Sequence, residues 1–320
     1  MSTENNEQQN ISPQQFSADV KRTLLYYNLF NYPLTSQQLF TFLPTNSLTF
    51  NEFYSRLQNE LTNNTANEKD GFVFLSDEAV VQKRIEKEKN AVALLRLAKF
   101  MTQIIKRFPF VRAVFLSGEL SKNIASKSGD IDFMIVTEEH RLWICRTLLI
   151  LFKKIFLFNS KKYFCVNYFI DEKHLELKEC NIFTATEIAH LKPLFNFKLF
   201  KEYFTANDWI KEFFPNFSLA RLNVQKMKDR KSKLQRLGEL FFQGNWTTTF
   251  DSWLMRRTEH LWKSRYPQFD EETRNRIFKC KSYESRAFVL NFEDKVLQRY
   301  EQVLKQQNIP VKPTDIQRTE

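Results

Sequence analysis

Cysteine and histidine are scarce. Four of each occur in 320 residues. Cys145, Cys165, Cys180 and Cys280 lie far apart with no CxxC spacing, and His140, His174, His190 and His260 are equally scattered. That excludes a zinc cluster and leaves free thiols of a reducing cytosol. The opening MSTENNEQQNISPQQ has no apolar run, so it is no secretory signal, and residues 1–15 are expected to be disordered. Long apolar stretches are missing as well. The most hydrophobic one, LWICRTLLILFKKIFLF, is interrupted by Arg146, Lys153 and Lys154 and falls short of the ~20 apolar residues a membrane span needs. It reads as a buried helix with basic ends, and the protein as cytoplasmic with no membrane partner. Neither a dinucleotide fingerprint nor a nucleophilic triad pattern occurs, which excludes dehydrogenase and hydrolase readings. No internal repeat is visible.

What the chain does hold is apolar mass and positive charge. Hydrophobic residues make up 42% and aromatics 15%, with 33 Phe, enough for a sizeable core. The length exceeds the ~100–200 residues of one domain, so two or three are expected. A formal charge of +11 and a pI near 9.4 favour a polyanionic partner.

Helical periodicity from Phe16 stops at Pro33, and Thr35 with Gln38, then Thr49 with Glu52, set up two capping boxes. Asp70-Gly71 marks a hairpin turn. Three short helices and a hairpin predict a winged-helix-like domain over 16–80. Its third helix, FNEFYSRLQNEL, has Arg56 as its sole basic residue, beside Asn51, Gln58 and Asn59. That is thin equipment for groove reading, so a packing or substrate-shaping role stands beside nucleic-acid binding. A charged connecting helix (81–108) ends at Pro109. An α/β core with mixed pairing (109–180), a helical region (181–306) and a flexible tail (307–320) complete the expected organisation.

The chemistry concentrates in VRAVFLSGELSKNIASKSGDIDFMIVT, Val111 to Thr137. A strand runs into Ser117-Gly118, where a bare backbone and free N–H groups at a helix start suit phosphate. The chain then returns into a second strand with Asp130 and Asp132 on one face. Two neighbouring carboxylates repel unless a cation lies between them, and they present hard oxygens to Mg²⁺.

This stretch resembles the signature of the DNA-polymerase-beta-like nucleotidyltransferase superfamily: strand, Gly-Ser at a helix start, a gap of about ten residues, then Asp-x-Asp on the next strand. YYNLFNYPLT, RLW..R from Arg141, VNYFI and TATEIAHLKPL are further similar to a bacterial subgroup with a winged-helix-like front. The resemblance implies a nucleotidyltransferase core. It also implies a nucleoside triphosphate donor attacked at its alpha phosphorus by an acceptor hydroxyl or phosphate, with release of pyrophosphate. Asp130 and Asp132 would hold Mg²⁺, and Gly118 would receive the beta and gamma phosphates. The acceptor is left unidentified.

Two departures qualify that likeness. Glu119 stands where the family has serine, so Ser117 or Ser121 would donate to phosphate, with Lys122 adding charge. The third metal carboxylate is expected on the strand FCVNYFIDE, whose period of two places Cys165, Asn167, Phe169 and Asp171 on one face. Asn167 occupies the mid-strand position, and an amide cannot take the acceptor's proton. Asp171 falls at the strand end. These departures support an alternative, a degenerate transferase fold acting in regulation or nucleic-acid binding. From Arg221 to Arg265, eleven Lys and Arg oppose four acids, giving +7 of the +11. That field suits RNA or another polyanion. The interleaved Trp246, Trp253 and Trp262 either stack bases or form a buried stripe.

Overall fold

The computed structural model describes residues 11–160, 163–221, 231–287, 292–311 and 316, without the side chains of Val166, Asn167, Arg221 and Arg276. The N-terminal elements follow their caps. Helix α1 (Pro13–Asn28) begins three residues before Phe16, because the Ser12 side chain accepts from the Gln15 N–H and Pro13 suits the first helical turn; residues 13–15 are thus helical. Strand β1 (Leu34–Thr35), α2 (Ser36–Thr41) and α3 (Phe50–Thr62) follow, and both capping boxes form. Strands β2 (Asn67–Lys69) and β3 (Phe72–Phe74) close on the two-residue turn Asp70-Gly71, both at positive φ, as a tight hairpin requires. Together with β1 they make a three-stranded sheet of order β1-β3-β2.

Helix α4 (Ala79–Ile105) leads into the main sheet. Strand β4 (Val111–Leu116), the short α5 (Gly118–Ser121) and β5 (Asp132–Thr137) form its centre, with β4 and β5 antiparallel. Helix α6 (Leu142–Phe156) crosses over to β6 (Cys165–Asp171), which runs parallel to β5. The C-terminal region is mainly helical: α7 (Ile182–His190), α8 (Phe197–Ala206), α9 (Ile210–Phe213), α10 (Lys233–Leu240), α11 (Trp246–Arg265), α12 (Glu271–Ile277) and α13 (Phe292–Gln306). Three strands nonetheless lie inside the stretch read as helical. These are β7 (Lys192–Phe195), β8 (Phe278–Cys280) and β9 (Glu284–Ala287), and the sheet order is β7-β4-β5-β6-β9-β8. Pro193 is tolerated in β7 because that strand is an edge.

Alternation along β4 and β5 builds two cores. Ala113, Phe115, Met134 and Val136 face a cluster that continues through Leu24 and Tyr26 of α1, Phe200 of α8 and Tyr300 of α13. Tyr26 meets Tyr300 edge to face at 5.2 Å between ring centres, so the front shares its core with α13. Val114, Leu116, Phe133 and Ile135 face Met101 and Ile105 of α4 and Trp143 and Leu149 of α6. Helix α6 is buried along its first half, but Leu151, Ile155 and Phe156 are exposed toward its basic end. Among the described residues no helix is long and apolar enough to cross a membrane. All four cysteines are free.

One irregularity corrects the expected strand face. Asp132 pairs with Cys165 and Phe133 with Val166, but Met134 pairs with Tyr168. The β6 backbone therefore carries one extra residue at Asn167, a bulge that breaks the period of two. Cys165 lies opposite Asp132, whereas Phe169 joins the core on the α6 side. Cys165, Asn167, Phe169 and Asp171 do not line one face.

Candidate functional site

The site is assembled where β4 ends. Ser117 is extended, and its N–H donates to the Asp132 carbonyl at 3.0 Å, locking the end of β4 to the start of β5. Gly118 follows at φ +67°, and a Cβ there would collide with the Asp132 carboxylate. Only glycine meets both conditions. The Ser121 hydroxyl is buried and donates to the Gly118 carbonyl at 2.8 Å, so it braces the turn. Ser117 makes no side-chain cap to α5. Lys122 pairs with Glu187 of α7 at 2.7 Å.

Glu119, the residue out of place in the family pattern, is held by two groups outside the turn. Its carboxylate accepts from Lys87 of α4 at 2.7 Å and from the Ser126 N–H at 3.1 Å. The Ala125 N–H donates to the Lys87 carbonyl at 3.0 Å. Glu119 thereby ties the loop that carries Asp130 to α4, a role that depends on Lys87, 32 positions away, and carries no local signal.

One ligand atom from each of Asp130, Asp132 and Cys165 fits within a 4.8 Å span. Asp132 is pushed up to about 6, by burial first and then by Asp130, against the hydrogen bond from Cys165. Burial and the two carboxylates push the Cys165 thiol up to about 12. Both shifts reflect two carboxylates held close together in a largely buried setting. Asp130 and Asp132 offer the hard oxygens Mg²⁺ takes, and Mg²⁺ characteristically completes its shell with substrate phosphates and water. The thiol is a soft donor and a poor Mg²⁺ ligand. The donor set therefore fits Mg²⁺ on the two carboxylates, with Cys165 as a neighbour that sequence reasoning placed on the strand but not in the site.

The Asn167 side chain lies outside the described residues. Asp171 does not approach the pair. It is opposite Thr137, at the far end of β5 from Asp132, where its carboxylate accepts from the Lys173 and His174 N–H groups, each at 2.9 Å.

The basic C-terminal stretch is described in part; Lys226, Lys228 and Arg230 lie outside the described residues. Lys233, Arg236, Arg256 and Arg257 are exposed. The three tryptophans divide between the two readings. Trp262 is half-buried, stacked on Phe278 at 5.1 Å, while Trp246 and Trp253 are exposed.

Comparisons with family models, curated proteins and solved structures find no match to this chain.

Proposed function

We propose that this chain is a Mg²⁺-dependent nucleotidyltransferase of the DNA-polymerase-beta-like superfamily, moving a nucleoside monophosphate from a triphosphate to a polyanionic acceptor with release of pyrophosphate. The observation that carries this reading is the approach of the Asp132 carboxylate to the bare backbone of Gly118, with Asp130 beside it. In this reading Asp130 and Asp132 hold Mg²⁺, which when bound neutralises charge on the reacting oxygens. Gly118 lets the triphosphate meet the backbone at the start of α5, the Ser117 hydroxyl donates to it, and Lys122 adds positive charge. Cys165, with its thiol near 12, keeps its proton at neutral pH and takes none from an acceptor. An acceptor phosphate needs no such base, whereas a hydroxyl does.

The same thiol supports a second reading. Among the described residues only Cys165 joins the aspartates, the composition expected of a degenerate fold that binds nucleotide for regulation. Calorimetric titration of each nucleoside triphosphate, with and without Mg²⁺, into wild type and Asp132→Asn separates the outcomes. Mg²⁺-dependent binding lost in D132N, with pyrophosphate released from wild type alone in cell extract, supports the enzyme. Binding without turnover in any extract supports the degenerate fold. A folded wild type that binds no triphosphate removes both.

A further inference from the structure

Beyond the carboxylate pair, three cations from three separate elements converge on the turn Lys122-Asn123, just after α5. Arg84, on α4, has a side chain only 3% exposed. Its guanidinium lies 3.7 Å from the centre of the Tyr32 ring. The Tyr32 hydroxyl in turn donates to the Lys122 carbonyl at 3.1 Å, so the platform under Arg84 is fastened to this turn. Lys192 opens β7, opposite Leu116, and its ammonium donates to the Asn123 side-chain oxygen. Lys122 itself is the third cation.

Carboxylates pair directly with two of the three. Glu88 accepts from Arg84 Nε at 2.8 Å and Glu187 from Lys122 at 2.7 Å, while the hydrogen-bond partner of Lys192 is a neutral amide. Arg84 Nη1 is buried with no hydrogen-bond partner. A buried donor left unmade costs free energy, more so on a charged group. His190, on α7, supplies no anion. It is half-buried against Tyr27, whose hydroxyl lies 3.2 Å from its Nε2, and desolvation with Lys122, Lys192 and Arg84 nearby holds it neutral, well below its ordinary range. Burial and Arg84 also lower the Lys192 ammonium to about 8. A cluster serving only to pack would gain nothing from mutual repulsion of this kind.

We infer that Arg84, Lys122 and Lys192 form an anion subsite at the Lys122-Asn123 turn that takes a phosphoryl group carrying two or more negative charges. Such a group gives Nη1 its missing acceptor and Lys192 its countercharge, and the guanidinium fork suits phosphate oxygens. The winged-helix-like front then has a task other than reading a groove, since it supplies Tyr32, the platform on which Arg84 lies. The inference deepens the proposed function, because the phosphoryl group belongs either to the donor's tail or to a phosphate acceptor, but it stands on residues other than Asp130 and Asp132.

The test is calorimetric titration of tripolyphosphate, and separately of inorganic phosphate, into the full chain with chelator present. Wild type, Lys192→Gln, Arg84→Lys and Asp132→Asn are compared. Wild type binds tripolyphosphate, K192Q weakens binding about tenfold or more, R84K weakens it through the lost fork while keeping the charge, and D132N binds at least as well as wild type. K192Q alters a partly exposed side chain, so it keeps the test decisive if R84K fails to fold. Folded wild type that binds neither anion, or K192Q and R84K that bind like wild type, overturns the subsite. Loss of Mg²⁺-triphosphate binding in D132N with tripolyphosphate binding intact keeps this result separate from the metal reading. Displacement of tripolyphosphate by Mg²⁺-nucleotide assigns the subsite to the donor's tail, and simultaneous binding assigns it to the acceptor.

Discussion

Gly118 carries two independent constraints, its left-handed φ of +67° and the Asp132 carboxylate where a side chain would begin. Left-handed backbone costs an L residue roughly 1–2 kcal/mol, and here the new methyl must also push Asp132 aside. Gly118→Ala is therefore expected to lower stability by at least that amount, read from the urea midpoint, and to abolish Mg²⁺-dependent triphosphate binding in the protein that remains folded. A variant that keeps nucleotide affinity would show that the approach of Asp132 to this backbone is incidental. Much of this turn was readable in the sequence, because Gly118, Asp130 and Asp132 obey local rules of strand period and turn chemistry. The other members were not. Cys165 faces Asp132 because a bulge falls at Asn167, and nothing in VNYF announces a bulge. Arg84 and Lys192 reach the turn through contacts between residues that lie far apart in the chain.

At the scale of elements the caps carried most of the legible information. Thr35, Thr49 and Asp70-Gly71 fix α2, α3 and the hairpin from side chains within three residues. Strands β7, β8 and β9 escaped because each is four residues or fewer and gains its pairing from distant partners, which no short pattern encodes. Helix α3 supports a firm expectation. Its sole basic residue, Arg56, donates to the Ile11 carbonyl at 2.8 Å, so it is committed to the fold. Duplex DNA binding by the full chain, measured by anisotropy, is expected to be equal for wild type and Arg56→Gln, and a clear loss in R56Q would restore α3 as a reader. Helix α6 gives a pH expectation through Asp251, which accepts from the Ile144 N–H at 2.8 Å at the helix start. Burial lifts this carboxyl from 3.8 to about 7, against the pull of the Ile144 and Trp143 N–H groups. The folded chain thus binds the proton more tightly than the unfolded chain. The contribution of this group is full below about 4 and is lost as pH rises toward about 7. Asp251→Asn has no such loss, so its stability relative to wild type should rise across that window by on the order of a few kcal/mol. Urea unfolding of both at about pH 5 and about pH 8 reads the difference, and a difference that does not move in favour of D251N at the higher pH rejects the shift.

Across the whole molecule, one apolar cluster runs from α1 through the sheet to α13, so the front is anchored to the chain's far end and not tethered as an independent reader. Charge is distributed unlike apolar mass. Of the +11 overall, +7 falls between Arg221 and Arg265, where Trp246 and Trp253 stand exposed and the Arg257 guanidinium lies 5.5 Å from the Trp253 ring centre. Exposed tryptophan beside arginine offers a base both a stacking face and a phosphate partner. If this surface holds the polyanionic acceptor, affinity for single-stranded RNA falls steeply with salt, because every neutralised phosphate releases counterions. The two kinds of contact then separate under mutation. Arg256→Gln with Arg257→Gln should flatten the salt dependence, while Trp253→Ala should weaken binding at every salt concentration by about 1–3 kcal/mol, the worth of one stacked base. Fluorescence titration of a labelled oligonucleotide over a salt series tests both. Binding that ignores salt, or that survives all three substitutions, would detach this surface from the acceptor and leave the cation cluster at Lys122-Asn123 as the place to look for it.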